Sequence, residues 1–133
     1  MKNYFKTDSP RVKMYMTENA EWQKTLRKQK KEIPLLERML TDAIVHMDTL
    51  EEAELGIDVH FREQLLRQQE EIDQLNNALN IQQKRLAKDS VTNLTYDTEA
   101  LCTQDILRDK IKDVEKNHVE LKCNFMKYLS NVL

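Results

Sequence analysis

Glycine and proline are almost absent from this chain. Its 133 residues include one glycine, Gly56, and two prolines, Pro10 and Pro34, so there is little material for the many tight turns of a sheet protein. Cysteine is also scarce. Cys102 and Cys123 are 21 residues apart on what reads as one helix, about 31 Å at 1.5 Å per residue, too far to bond to each other. Both fall on its outward face, and free outward thiols fit a reducing cytosol. Neither sign of charge dominates. With 21 basic and 23 acidic residues the net charge is −2, without the basic excess of a dedicated nucleic-acid binder. No apolar run approaches the ~20 residues of a membrane span, and the N-terminus lacks the apolar core of a signal peptide. The sequon Asn93-Leu94-Thr95 therefore carries no meaning.

What the chain does contain is amphipathic helix. Charged residues make up 33% and hydrophobic residues 40%, with Leu, Lys, Glu and Gln prominent, the profile of one domain of long helices. The stretch Asp58 to Lys88 has a seam of Phe61, Leu65, Gln68, Ile72, Leu75, Leu79, Gln82 and Leu86. Its alternating gaps of four and three are those of a heptad helix. The same alternation runs through Trp22, Leu26, Gln29, Ile33, Leu36, Leu40, Ala43, Met47 and Leu50. It returns in Gln104, Leu107, Ile111, Val114, His118, Leu121, Phe125, Tyr128 and Val132.

Punctuation divides these seams. Gly56 suits a left-handed helix stop, and Asp58 suits the cap of the next helix. The segment Asp89 to Tyr96 is a loop by composition, with Thr95 or Asp97 as the following cap. The expected fold is all-α: an antiparallel up-down-up three-helix bundle with helices over about 17–55, 58–88 and 97–132, preceded by a flexible arm over 1–16. Ser9-Pro10 offers a competing start for a short helix within that arm. Pro34 keeps the seam in phase and predicts a kink near Lys30 to Pro34 in a continuous helix.

Matching the seams sets an expected register. Gln29 stands opposite Gln82, Leu40 opposite Ile72 and Leu50 opposite Phe61, while the third helix runs parallel to the first. Gln29, Gln82 and Gln104 then share one layer, and Ala43, Gln68 and His118 another, with apolar layers between. A polar layer of this kind fixes register in coiled coils. The basic run Lys24 to Lys31 shares an end with Lys84, Arg85 and Lys88, offset by Asp97, Glu99 and Asp105, which reads as a salt-bridged solvated face. The run has no interleaved aromatics.

Candidate chemistry is sparse. Glu115 and His118 form a single E-x-x-H, whereas di-iron bundles use two such motifs on four helices; His118 reads instead as a core-flanking residue bonded to Gln68. His46 and His60 flank the expected turn without converging as zinc ligands. No Ser–His or Cys–His pairing and no glycine-rich phosphate loop is present. No cofactor, metal or small-molecule substrate is expected, and the chain does not read as an enzyme. Surplus apolar residues beside the seams carry more information. Leu55, Ile57 and Val59, with Val119, Met126, Leu129 and Leu133, suggest a contact surface near the turn, for self-association or another helical protein. Leu35 and Met39 form a second off-seam pair. The alternative is a nucleic-acid-associated accessory protein using Lys2, Lys6, Arg11, Lys13 and the basic bundle end.

The segment HFREQLLRQQEEIDQLNNAL (60–79) resembles one found in a group of small bacterial all-helical proteins of uncharacterised function. ENAEWQKTLRKQKKEIPLLERML (18–40) and LRDKIKDVEKNHVELKCNFMKYLSNVL (107–133) are similar to its flanking segments. The resemblance implies a bacterial, cytoplasmic, all-helical protein and carries over no catalytic or cofactor residues.

Overall fold

The computed structural model describes residues 10–45, 52–89 and 94–132, which form α1 (Pro10–Val45), α2 (Glu52–Asp89) and α3 (Leu94–Val132). The described residues contain no strand, and the helices pack on one another as an all-α three-helix bundle. α1 and α2 run antiparallel. Going up α1 and down α2, Asn19 bonds Gln83, Gln23 bonds Asn80, Lys30 pairs with Asp73 and Thr41 accepts from Arg62. α3 returns parallel to α1, with Glu18 on Arg108 and Glu32 on Lys122.

α1 begins earlier than the expected Thr17. Pro10 occupies the first helical position, where its missing N–H has no intrahelical partner to lose and its fixed φ suits the helix. The seam extends backward through Val12, Tyr15 and Asn19, all buried. Val12 and Tyr15 close on Leu86 and Ala100 in a small second apolar cluster. The expected flexible arm is thus corrected: residues 10–16 are helix packed into the bundle, while 1–9 lie outside the described residues.

The chain reversal is also corrected. Gly56 and Asp58 lie inside α2, and the reversal falls between Val45 and Glu52. Gly56 is exposed, its backbone is not left-handed, and a Cβ there would meet nothing within 4 Å. A mid-helix glycine costs about 1 kcal/mol relative to alanine, which the buried seam of α2 from Phe61 to Leu86 offsets. Asp58 does not cap the helix; it accepts from Arg62 one turn on, at 3.0 Å. His46, Met47 and Leu50 fall in the connection and lie outside the described residues.

Moving the reversal moves the register of α1. Residue 30 was expected near residue 81 or 82 of α2, yet Lys30 pairs with Asp73 at 2.6 Å. The slip is about one heptad, which returns every seam residue to a seam position. The register of α2 against α3 is as expected. Gln82 meets Gln104, and Phe61 meets Phe125 edge-on with ring centroids 5.3 Å apart. Phe61 also lies 5.3 Å from Tyr128, so aromatic rings fill the end of the core nearest the reversal. The main core runs from there to Leu26 and includes Leu40, Leu65, Leu79 and Leu129. α1 passes through Pro34 without a break.

Candidate interaction surface and polar core

Polar residues interrupt the core, and they gather at two main places. The first joins all three helices. Gln83 Nε2 donates to the Met16 carbonyl at 3.0 Å, and Asn19 Nδ2 donates to Gln83 Oε1 at 3.1 Å. Gln104 Nε2 donates to Asn19 Oδ1 at 2.8 Å and lies 3.1 Å from Glu18 Oε1. Gln82 Nε2 donates to Gln104 Oε1 at 3.2 Å and lies 3.3 Å from the Ala100 carbonyl. Asn19, Gln82 and Gln104 are fully buried. Glu18 continues the network to solvent through three contacts from the Arg108 guanidinium, at 2.7, 3.0 and 3.2 Å. Arg108 in turn sits 5.9 Å over the Trp22 ring, within cation–π range.

The polar layer therefore has a different α1 member from the expected one. Gln82 and Gln104 meet, but their partner is Asn19. Gln29 lies next to Lys30 and so stands near Asp73, well down the bundle; it is buried there and its Oε1 has no hydrogen-bond partner.

The second polar place surrounds His118. Both ring nitrogens lack a hydrogen-bond partner, as does Gln68 Nε2, so the expected bond between His118 and Gln68 is absent. His118 instead faces Glu32, with Nε2 3.6 Å from Oε1, an ion-pair distance too long for a hydrogen bond. Glu32 also receives Lys122 at 2.6 Å. Burial pushes the His118 pKa down, the Glu32 charge partly opposes this, and Lys122 adds to it. The hydrogen bond from Lys122 holds the Glu32 carboxyl below its usual range.

This arrangement predicts a pH dependence of stability. An unfolded histidine titrates near 6.5. Just below that value the unfolded chain takes up the proton before the folded one, so stability is full above it and falls with acidification until folded His118 also protonates. The Glu32 contribution is lost only at more acid pH, below 4.5. The urea midpoint of the wild type should fall between about pH 7.5 and 5.5, and that of His118→Leu should stay level. An equal fall in both would remove His118 as the cause.

The outer surface carries the remaining signal. Glu18–Arg108 and Glu32–Lys122 are successive rungs of one ladder between α1 and α3, two heptads apart. One heptad further the same two positions are occupied by Met39 and Leu129. Leu35, 54% exposed, and Met39, 38%, flank this ladder on α1, and Val119, 66%, and Met126, 44%, flank it on α3. Of the expected contact surface, Val119 and Met126 thus share one face. Leu129 is corrected to the core, where it is buried. Val59 is exposed but sits at the heptad position of Asp73 and Asn80, on the side of α2 toward α1, so it belongs to a different face. The side chains of Leu55 and Ile57, and all of Leu133, lie outside the described residues.

Two shallow grooves of about 280 and 350 Å³ follow the α2/α3 junction. Their titratable lining is Arg67, Glu71 and Glu120 in one, and Glu71, Lys110 and Asp113 in the other, with no serine, histidine or cysteine. Among the described residues no group of three or more His, Cys, Asp or Glu is placed to hold a metal ion, and no helix is long and apolar enough to cross a membrane. Cys102 and Cys123 are exposed free thiols. Comparison with protein-family models, curated proteins and solved structures finds no match.

Proposed function

We propose that this chain is a non-enzymatic interaction module, a helical scaffold that associates with copies of itself through the outer α1/α3 face. The observation that carries this reading is the run of exposed Leu35, Met39, Val119 and Met126 beside a salt-bridged ladder, which brings four large exposed apolar side chains onto one face. An apolar run of this kind gains by being covered. The exposed thiols fit a reducing compartment, and we place the chain in the cytoplasm on that ground. The nucleic-acid reading draws less support. Lys30 of the basic run pairs with Asp73, and the heptad slip moves the run away from Lys84 and Arg85.

Sedimentation equilibrium tests the reading. The wild type should show a concentration-dependent mass above the 15.9 kDa of one chain. Leu35→Glu and Val119→Glu, both at exposed positions, should weaken association at least tenfold with helicity unchanged. A wild type that remains monomeric at about 100 μM would overturn it, since that weakens association beyond about 5 kcal/mol.

A further inference from the structure

Glu32 stands between an inner and an outer base. Its Oε2 takes the Lys122 ammonium at 2.6 Å, and its Oε1 lies 3.6 Å from Nε2 of His118. Side-chain exposure rises from 6% at His118 through 27% at Glu32 to 39% at Lys122, so this one carboxylate joins the core to solvent. Neither ring nitrogen of His118 has a hydrogen-bond partner. From α2, the register of Gln82 on Gln104 and Phe61 on Phe125 brings the uncharged amide of Gln68 to the height of His118. The α2 charges at this height, Arg67 and Glu71, line the α2/α3 groove with Glu120. On α3 itself, Lys122 lies one turn on and half-buried Glu115 one turn back.

We propose that Glu32 is a pH-sensitive latch: when His118 takes up a proton from solvent, the carboxylate closes on Nε2 and its hold on Lys122 weakens. Two cations then share one anion, and the 3.6 Å separation shortens to a charge-assisted hydrogen bond of about 2.8 Å. Neutral imidazole does not pull the carboxylate in this way, because only imidazolium adds an opposite charge. The coupling is reciprocal: the charge on His118 loosens Lys122 as much as Lys122 opposes that charge. Burial sets the range. His118 charges only below the ordinary histidine value, and Glu32, held low by its hydrogen bond from Lys122, stays ionised there. Lys122 lies between exposed Val119 and Met126 along α3, so a titration in the core is read out as a freer cation on the outer face. The latch belongs to a single chain and stands whether or not that face associates.

Nuclear magnetic resonance titration of the full chain tests it. The side-chain signals of Lys122 should shift with pH at the midpoint of the His118 ring signals, and that inflection should vanish in His118→Leu. The His118 midpoint should rise in Lys122→Met and fall in Glu32→Gln. In each case the ratio of charged to neutral imidazole at the wild-type midpoint should change at least about threefold, half a pH unit. Glu115→Gln should move the midpoint less than Glu32→Gln. The latch is overturned by a His118 midpoint indifferent to Lys122→Met, or by an unchanged Lys122 inflection in His118→Leu. It is equally overturned if Glu115→Gln has the larger effect, or if acid unfolds the chain before the ring titrates.

Discussion

Replacing Gln104 with leucine is expected to lower the free energy of unfolding by about 2–4 kcal/mol, because buried partners would lose their bonds. Asn19 Oδ1 would lose its 2.8 Å donor, and Gln82 Nε2 would keep only the Ala100 carbonyl at 3.3 Å. Glu18 would be affected least, since Arg108 still holds it. Urea unfolding with an unchanged slope measures this directly. The triple variant Asn19→Leu, Gln82→Leu and Gln104→Leu separates stability from specificity. The all-apolar layer leaves the part-buried Gln83 Oε1 as the amide that loses its donor, so much of the loss should be recovered. What should not return is a sharp thermal transition, because the seams then accept the neighbouring heptad almost equally. A sharp transition in the triple variant would show that the amides do not set register.

The second large effect lies at Pro34. This residue is exposed in the interior of a continuous helix. A proline there cannot donate to the carbonyl of Lys30 and presses its ring against the preceding turn, at a cost of about 3 kcal/mol in an ordinary helix. Pro34→Ala restores that donor without touching the core side chains of Ile33 or Leu36. Stabilisation of about 2–3 kcal/mol is expected, read as a higher urea midpoint. A midpoint that stays level or falls would mean that α1 needs a bend there to keep Ile33 and Leu40 in the core.

The parts of this fold legible in the sequence were those with two independent signals. The α2/α3 register had matching seams and a polar loop fixing the ends, and Gln82 does meet Gln104. The α1/α2 register had matching seams alone. A seam repeats every seven residues, so it fits equally well after a slip of one heptad, and only the turn decides between the two. Gly56 supplied a plausible turn in the wrong place. Asp48 and Thr49 are cap-type residues ahead of a first turn containing Glu52 and Glu54, a start signal of comparable strength. A seam that starts at Trp22 leaves Asn19 out, yet the same spacing continued backward reaches Asn19, Tyr15 and Val12. Leu129 was read as surface because it sits one step off the seam, where the α1/α3 ladder makes room for it. The unbonded nitrogens of His118 were not legible at all, since their surroundings depend on which heptad of α1 faces α3.

The relay of amides also divides the interior. On one side lies the longer, mainly apolar column ending at Phe61 and Phe125, which also holds Gln29, Gln68 and His118; on the other lies the small cluster of Val12, Tyr15, Leu86 and Ala100. Should that small group part, water reaches Asn19, Gln82 and Gln104 and satisfies them at little expense, whereas opening the column beyond exposes far more apolar surface. Opening that begins near Pro10 therefore meets a natural stopping place at the amides, and the rod can fray at one tip while the rest stays shut.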